Sequence, residues 1–294
     1  MKKEIIEKAE EIISEKRREN LAPYEEKMAK LNKNAEFLKL QNELNKEIIE
    51  NTRKEVYGEK FERCKELELK KKYNAFLKKE NVPEVKFSCP ICEDKSYVNG
   101  KMCACLKKEI SKILFEESNF GDLISFSDAE KGATGELKKL YDLMKKWCHS
   151  DFKKNLIFIS GAVGVGKTHL TKAIANELIE MGKIVKLSSA FQMSRDFKEY
   201  RYSYDESILD KYLSCEFLFI DDLGTETIYK NSTVEFLFHV INERKMKKVC
   251  TIITSNLDLS EVRDRYGERI FSRIADQKTS IATQIHGDDL RLKK

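Results

Sequence analysis

The chain has 294 residues, 36% of which are charged, and its formal net charge at pH 7 is +5. No apolar run approaches the roughly 18 residues that a membrane-spanning helix needs, and the first residues alternate in charge where a signal peptide would be apolar. The composition therefore argues against a membrane-spanning or secreted protein and predicts a soluble, cytoplasmic one. The mildly basic balance permits a nucleic-acid partner without requiring one.

Helical periodicity fills residues 1–85. Apolar positions follow one helical face over residues 5–13, and similar spacing resumes over residues 24–38 after an expected break at Pro23. A further, highly charged helical stretch is predicted for residues 43–79. Narrow apolar stripes on a Glu- and Lys-rich background favour helical hairpins or a short coiled coil that docks a partner. The alternative is a solvated helical arm.

Four of the eight cysteines lie close together, at Cys89, Cys92, Cys103 and Cys105. The Cys-Pro-Ile-Cys segment places two thiolates on one tight turn, and a predicted hairpin turn at Asn99-Gly100 allows the second pair to complete a tetrahedron. This pattern predicts a structural Cys₄ zinc site, although the second pair is Cys-x-Cys where Cys-x-x-Cys is commoner. Redox disulfides and unliganded thiols are the alternatives, and a reducing cytosol disfavours the disulfides.

A glycine-rich loop, Gly161 to Thr168, follows an apolar run at residues 156–159 and precedes a helical pattern. Phosphate loops require this order, because the N–H groups and positive dipole end of the helix N-terminus face the phosphates. Lys167 is predicted to reach the β- and γ-phosphates, and the hydroxyl of Thr168 to hold Mg²⁺. An ordinary glycine turn is the alternative. The candidate nucleotide-binding residues are Gly161, Gly164, Val165, Gly166, Lys167, Thr168 and His169.

A second apolar run, at residues 217–220, ends in Asp221 and Asp222. Strands that are buried on both faces have this composition, and ligands bind beyond the C-terminal ends of strands in an open parallel sheet. Asp221 is therefore predicted to join the Mg²⁺ shell and Asp222 to polarise an attacking water. The alternative is a strand that ends in acidic residues by chance.

Three more strands are predicted, at residues 184–188, 249–254 and 280–285, with helical patterns between them. One of these helices is expected to begin with a capping box formed by Ser232 and Glu235. Five apolar strands that alternate with helices predict an α/β fold with a five-stranded parallel sheet and right-handed crossovers.

Four strings of residues together resemble the bacterial DnaC/DnaI helicase loaders and their relative, the transposition helper IstB. They are Gly-Ala-Val-Gly-Val-Gly-Lys-Thr-His-Leu at 161–170, Phe-Ile-Asp-Asp-Leu-Gly-Thr-Glu at 219–226, Thr-Ser-Asn at 254–256 and Gly-Glu-Arg-Ile-Phe-Ser-Arg-Ile at 267–274. The resemblance covers roughly residues 108–294, and the cysteine pattern upstream also looks like the loader arrangement. It implies an AAA+ P-loop ATPase without a substantial C-terminal lid.

The resemblance also implies cofactors and partners. These are ATP and Mg²⁺ in the ATPase part, self-association into a ring or spiral, a DnaB-type replicative helicase and single-stranded DNA. Loaders of this type grip single strands through the segment that corresponds to residues 188–201. Its candidate DNA contacts are Phe191, Lys198 and Arg201, because interleaved aromatic and cationic side chains suit base stacking and phosphate contact. A helix that packs its aromatic side chains inward is the alternative.

Further roles follow from the same resemblance. Asn256 matches a polar position that orients the lytic water. Arg273 matches an arginine finger that reaches the γ-phosphate of a neighbouring subunit, with Arg269 one turn earlier as helper or substitute. From the residues alone, the two arginines equally describe a basic helix face. Related ATPases often carry Asp-Glu at the acidic strand end, so the pair Asp221-Asp222 implies slow hydrolysis that assembly or DNA stimulates.

The predicted organisation therefore has three parts. A helical domain at residues 1–85 docks the helicase, a zinc module occupies residues 86–107, and an ATPase domain spans residues 108–294. The predicted function is ATP-dependent loading of the replicative helicase in the initiation of DNA replication. Two alternatives remain, an IstB-like transposition helper that needs a transposase partner and a nucleotide-gated adaptor with negligible turnover.

Overall fold

The computed structural model describes residues 3–118, 120–131 and 133–287. The chain forms two compact units, one made of Met1–Glu11 with Ser96–Lys294 and the other of Ile12–Lys95. The three-part division of the sequence stays a prediction, and its outer ends, residues 1–2 and 288–294, lie outside the described residues. In the described ranges, no helix combines the length and the apolar composition that crossing a membrane requires.

Helices and strands occupy most of the described chain. In chain order they are α1 Lys3–Leu31, α2 Ala35–Val56, α3 Cys64–Lys79, β1 Tyr97–Val98, β2 Lys101–Met102, α4 Ala104–Glu116, α5 Phe126–Ala129, α6 Gly135–Cys148, β3 Leu156–Gly161, α7 Lys167–Glu180, β4 Val185–Ser189, α8 Ala190–Ser203, α9 Glu206–Leu213, β5 Phe217–Leu223, α10 Thr233–Met246, β6 Cys250–Ser255, α11 Leu259–Tyr266, α12 Glu268–Ile274 and β7 Ser280–Ile285.

Five parallel strands form the main sheet, in the order β4-β5-β6-β3-β7. The predicted α/β class with a five-stranded parallel sheet is confirmed. β3, β5 and β6 are almost entirely buried beneath α7, α8 and α10, which explains why they read as continuous apolar runs. Because β6 lies between β3 and β5, the glycine-rich loop, the acidic pair and Asn256 emerge side by side at one edge of the sheet.

The smaller unit contains an antiparallel hairpin of α2 and α3. Phe37 near the start of α2 packs against Tyr73 and Phe76 near the end of α3, with ring centroids 5.5 and 5.4 Å apart. Further along, the buried Asn51 amide donates to Glu66 at 2.8 Å. A buried polar pair of this kind favours one register of the hairpin, because any shift leaves both groups unsatisfied.

Two predictions about the helical region are wrong. α1 continues through Pro23 without a break, so the helix loses only the amide donor of that residue while retaining regular turns on both sides. The stretch predicted as helical over residues 43–79 is interrupted between Val56 and Cys64. Gly58, with φ of 70°, lies in this interruption, and the left-handed backbone there ends α2.

The capping box predicted at Ser232 and Glu235 is also wrong. Ser232 has φ of −145° and ψ of −70° and makes no side-chain cap bond, and its buried hydroxyl finds no partner within the described part of the chain. The neighbouring Thr233 hydroxyl instead accepts from Tyr229 N at 2.9 Å. This bond closes the preceding loop and holds Ser232 away from cap geometry. A capping box does open α11, at Asp258.

Helix α4 is an integral part of the larger unit. It packs against β4 and α7, and Leu106 and Ile110 on its inner face are fully buried. The Ser111 hydroxyl donates to the Lys183 carbonyl at 2.8 Å and accepts from Val185 N at 2.9 Å. A side chain on α4 therefore completes the hydrogen bonding of the β4 edge.

Substituting Gly182 by alanine is expected to destabilise this packing. Gly182 has φ of 71°, and an added Cβ would lie 2.5 Å from the Cβ of Ala104 at the start of α4. Overpacking costs about 1–3 kcal/mol and the positive φ about 1 kcal/mol, so the midpoint temperature of thermal unfolding, Tm, should fall by roughly 5–15 °C. Gly135→Ala is the matched control, since Gly135 has φ of 56° but nothing within 4 Å. Equal shifts for both variants would contradict the packing argument.

Candidate functional site

The glycine-rich loop connects β3 to α7 with the backbone that its sequence predicts. Gly164 and Gly166 have φ of 82° and 98°, a backbone conformation that residues other than glycine rarely adopt. Gly161 needs glycine for a different reason, because a Cβ there would lie 2.6 Å from the Ile285 carbonyl oxygen on β7. Val165 is only 2% exposed, so its side chain packs beneath the loop rather than facing a ligand.

Lys167 joins the loop to the end of β6. Its ammonium donates to the Gly161 and Ala162 carbonyls at 2.7 and 2.8 Å and to Asn256 Oδ1 at 2.7 Å. The residue is 5% exposed, so these bonds hold the cation at the mouth of the loop. The structure thus brings together two predicted site residues, Lys167 and Asn256, that are 89 positions apart.

Asp221, the first residue of the acidic pair at the end of β5, contacts Thr168. The hydroxyl of Thr168 lies 3.2 Å from Asp221 Oδ2, while Thr254 donates to Asp221 Oδ1 at 2.5 Å. Burial raises the pKa of the Asp221 carboxyl, a shift that the hydrogen bond from Thr254 opposes. An oxygen-lined position with a buried carboxylate suits a divalent cation such as Mg²⁺, because a bound cation would stabilise the charged form.

Asp222 lies on a β-bulge. The register between β5 and β6 shifts after Ile220, and Asp222 adopts φ of 55°. Its backbone N donates to Thr254 Oγ1 at 3.0 Å in place of a regular ladder bond. Bulges redirect side chains near active sites, and here Asp222 lines a cleft together with residues of the glycine-rich loop. Thr254 thus orients both acidic residues, a role that the sequence did not assign.

A cleft of about 620 Å³ extends from the loop. A space of that size is typical of a small-ligand site. Of the candidate nucleotide-binding residues, Gly164, Gly166, Lys167, Thr168 and His169 line it, whereas Gly161 and Val165 contribute only beneath the loop. Residues from α5 and α6, together with Asp222 and Asn256, complete the wall. The full lining is Asp128, Ala129, Lys131, Tyr141, Val163, Gly164, Gly166, Lys167, Thr168, His169, Lys172, Asp222 and Asn256.

Arg269 and Arg273 lie apart from this cleft. Both guanidinium groups stack over the Phe238 ring on α10, at 3.8 and 5.0 Å from its centroid. Arg273 also donates to Asn242 Oδ1 at 3.2 Å. Neither residue lines the cleft of its own chain.

The candidate DNA contacts lie on α8. Phe191 is 49% exposed, whereas Lys198 stacks 4.8 Å from the Tyr229 ring centroid and Arg201 donates to the Asn231 carbonyl. All three residues are exposed. Lys198 and Arg201 also contact the segment that follows the acidic strand.

The four cysteines of the predicted zinc site come together. Their sulfur atoms all lie within 4.8 Å of one another. Zinc–sulfur bonds of about 2.3 Å place the sulfurs of a tetrahedral site roughly 3.8 Å apart, so the cluster fits a zinc ion. Cys92 and Cys103 are buried, and Cys89 and Cys105 are half-buried.

Local hydrogen bonds shape the two turns that carry these thiols. The Asp94 carboxylate accepts from Ser88 N at 2.9 Å and Cys89 N at 2.7 Å, which tightens the first turn. On the other side, Asn99 and Gly100 have φ of 50° and 73° in the tight turn between β1 and β2. The predicted hairpin turn is confirmed.

The chain is similar to several known proteins. Residues 123–294 match the family model described as IstB-like ATP binding protein. The chain is 34% identical over 121 residues to the chromosomal replication initiator protein DnaA of Campylobacter fetus, which is 40% of this chain and 27% of that relative. It is 29% identical over 143 residues to the replicative helicase loader DnaC of Buchnera aphidicola, which is 47% of this chain and 57% of the loader.

A solved structure of AMPPCP-bound DnaA from Aquifex aeolicus superposes with a TM-score of 0.46 at 28% identity, covering 54% of this chain and 50% of that one. The chain spans about a quarter of the length of the DnaA relative from Campylobacter. The family model, by contrast, matches well over half of the present sequence, from α5 to beyond β7. On that match, the chain belongs to the IstB-like ATP-binding protein family.

Proposed function

We propose that the protein is an ATP-dependent loader of the replicative DNA helicase that acts in the cytoplasm during the initiation of DNA replication. The observation that carries this proposal is that Lys167, Thr168 and Asn256 line one cleft, with Asp221 in contact with the Thr168 hydroxyl. The resemblance to helicase loaders, including the Buchnera DnaC relative, supplies the biological role.

Each residue at the cleft has a task in ATP hydrolysis. Lys167 and the N–H groups at the start of α7 bind the phosphates, and Thr168 and Asp221 supply oxygen ligands for Mg²⁺. When bound, Mg²⁺ neutralises the charge that develops on the phosphates. Asp222 and Asn256 orient the water. Because aspartate is shorter than the more usual glutamate, Asp222 leaves intrinsic hydrolysis slow, and assembly or DNA stimulates it.

Self-association brings an arginine from a neighbouring subunit to each nucleotide site. Arg273, assisted by Arg269, reaches the γ-phosphate bound to a neighbouring subunit, because neither arginine lines the cleft of its own chain. A guanidinium adds positive charge where the transition state is most negative. Hydrolysis thereby depends on assembly.

The remaining parts recognise partners. A structural zinc ion is held by the cysteine cluster, single-stranded DNA contacts α8 at Phe191, Lys198 and Arg201, and the helical region docks the DnaB-type helicase. Exposed apolar side chains on the α2–α3 hairpin support this docking, since Ile49 and Tyr57 are 68% and 71% exposed. Isolated exposed apolar residues are common, but several on one small helical unit favour a protein partner.

Capture of the replicative helicase tests the proposal. Immobilised full-length chain with Mg²⁺ and ATP should retain the purified helicase of the same organism. An Ile49→Glu, Tyr57→Glu variant should lose at least about tenfold in affinity, because each buried apolar contact contributes roughly 1–2 kcal/mol. Met246→Glu is the control, since Met246 is 73% exposed but belongs to the larger unit.

The family match favours a second candidate, a transposition helper, because its model describes IstB-like proteins. A helper would retain its cognate transposase and not the helicase. That result would exclude helicase loading while leaving the ATPase site intact. Retention of neither partner, together with undetectable turnover in the assembled protein, would favour the nucleotide-gated adaptor.

A further inference from the structure

Glu226 is a buried carboxylate with partners on two elements. It is 4% exposed, its Oε2 accepts from Gly224 N at 2.8 Å, and its Oε1 accepts from the Tyr266 hydroxyl. Arg265 Nε lies 3.6 Å from the same Oε1, and Arg265 Nη2 donates to the Glu226 carbonyl at 2.8 Å. Burying a carboxylate costs several kcal/mol unless such donors surround it, so this charge is retained for the bonds it makes.

One end of this network fixes the catalytic turn. Asp222 opens a turn with left-handed φ, and Glu226 closes the turn through the Gly224 amide. Gly224 has φ of 111°, and a Cβ there would lie 2.8 Å from Leu257, the residue after Asn256. The turn therefore packs on Leu257, and Glu226 holds the turn there through its bond to the Gly224 amide.

The other end reaches the arginine helix. Tyr266 is the last residue of α11 and is 4% exposed. Burial, followed by the hydrogen bond to Glu226, raises the pKa of Tyr266 well above its usual range, so the hydroxyl remains a donor. Gly267, with φ of 84°, connects directly to α12, which carries Arg269 and Arg273.

We infer that Glu226 is a positioning residue that couples the turn at Asp222 to the helix bearing Arg269 and Arg273. Occupancy of the γ-phosphate position shifts the turn, and the Glu226–Tyr266 bond passes that shift to α11 and, across Gly267, to α12. The inference rests on the proposed ATPase function. It adds a route by which the nucleotide in one subunit sets the arginines that this subunit offers to its neighbour.

Hydrogen exchange on the full chain provides the first test. A non-hydrolysable ATP analogue with Mg²⁺ should slow amide exchange over residues 259–274 in the wild-type protein. Tyr266→Phe and Glu226→Gln should bind the analogue with affinity within about threefold of wild type, since neither residue touches the cleft, yet show no such slowing. Tyr212→Phe is the matched control, because Tyr212 is 1% exposed and also donates to a buried carboxylate, Asp196.

Mixed assemblies test the direction of coupling. Tyr266→Phe should lower kcat about tenfold with KM unchanged, because its nucleotide site is intact. Mixing it with Asp222→Asn subunits, which lack the carboxylate that orients the water but keep Lys167 for ATP binding and the Glu226–Tyr266 bond, should restore turnover at the Tyr266→Phe sites. A merely destabilising substitution would not be rescued by a partner subunit.

The possible failures are separable. A wild-type chain that does not bind the analogue refutes the proposed function itself. Analogue binding without slower exchange at residues 259–274 in wild type, or slower exchange that persists in both variants, refutes the role of Glu226 alone. Absence of rescue in the mixed assemblies would show that Glu226 acts only on its own nucleotide site, which also overturns the inference.

Discussion

Lys167→Ala is expected to abolish ATP binding and turnover. The Lys167 ammonium lies within 2.8 Å of three oxygen acceptors, two from the loop and one from Asn256. It thereby links α7 to the ends of β3 and β6. Charge-assisted bonds contribute about 1.5–3 kcal/mol each, so losing two to phosphate should weaken binding by at least about 100-fold.

Thermal unfolding measures this loss directly. Ligand at about 100 times its Kd stabilises a protein by roughly 2.7 kcal/mol, so Mg²⁺ and ATP should raise the wild-type Tm by several degrees and leave that of Lys167→Ala unchanged. Lys172→Ala is the matched control, since Lys172 lies on the same helix and lines the same cleft without belonging to the loop. A preserved Tm increase in Lys167→Ala would place the nucleotide elsewhere.

The Lys167→Ala variant also distinguishes a nucleotide-gated adaptor from an ATPase that turns over. A protein whose assembly requires ATP but which turns over negligibly should lose only assembly when Lys167 is replaced. An ATPase that turns over should lose turnover as well, and in its wild type the phosphate released per subunit should rise with subunit concentration, because arginines from neighbours complete each site. Measuring turnover across a concentration series distinguishes these alternatives.

Local patterns explain why much of this site is predictable from the sequence. The glycines of the loop, the apolar runs and the terminal acids each occur within a few residues, and a parallel sheet necessarily aligns the C-terminal ends of its strands. Lys167, Asp221 and Asn256 therefore meet as expected once the strand order is known. The hairpin turn at Asn99 is predictable for the same reason, since a turn depends on adjacent residues alone.

Long-range polar contacts account for most of what the sequence does not reveal. Arg244 is fully buried and donates to the carbonyls of Tyr212 and Cys250, yet its position in a charged helix gives no signal of burial. Glu226 and Tyr266 pair across 40 positions in the same way. Such bonds depend on which elements become neighbours, which periodicity cannot specify.

Local rules can also mislead when tertiary contacts compete with them. Ser232 has the spacing of a capping box, but the Thr233 hydroxyl closes the preceding loop and displaces it from the cap position. Proline often ends a helix, but α1 has several regular turns on each side of Pro23 and continues through it. Both cases show the tertiary fold overriding a correct local preference.

Removing the zinc ion that we propose for the cysteine cluster is expected to destabilise the larger unit, although the cluster is remote in sequence from the glycine-rich loop. Cys103 is the N-cap of α4 and Cys105 lies in its first turn. α4 in turn packs on β4, and Ala104 meets Gly182 at the turn between α7 and β4. Without the ion, the first turn of α4 loses its anchor, and four thiol groups are left crowded within 4.8 Å.

The expected loss is about 2–3 kcal/mol, which corresponds to a fall in Tm of roughly 5–10 °C for a unit of this size. Dialysis of the full chain against a zinc chelator should produce this fall, and a Cys103→Ser, Cys105→Ser variant should show it without chelator. Cys64→Ser is the control, because Cys64 is exposed and lies outside the cluster. Elemental analysis should find one zinc per wild-type chain.

Reductant separates the metal from the redox alternative. If the cluster holds zinc, the Tm of the protein should be unchanged in dithiothreitol and should fall in chelator, because thiolates bind the ion in their reduced state. A disulfide-linked cluster should respond in the opposite way, and unliganded thiols should respond to neither. Since α4 completes the hydrogen bonding of β4 through Ser111, a chelator-induced fall in Tm would further show that the cysteine cluster contributes to the stability of the ATPase fold itself.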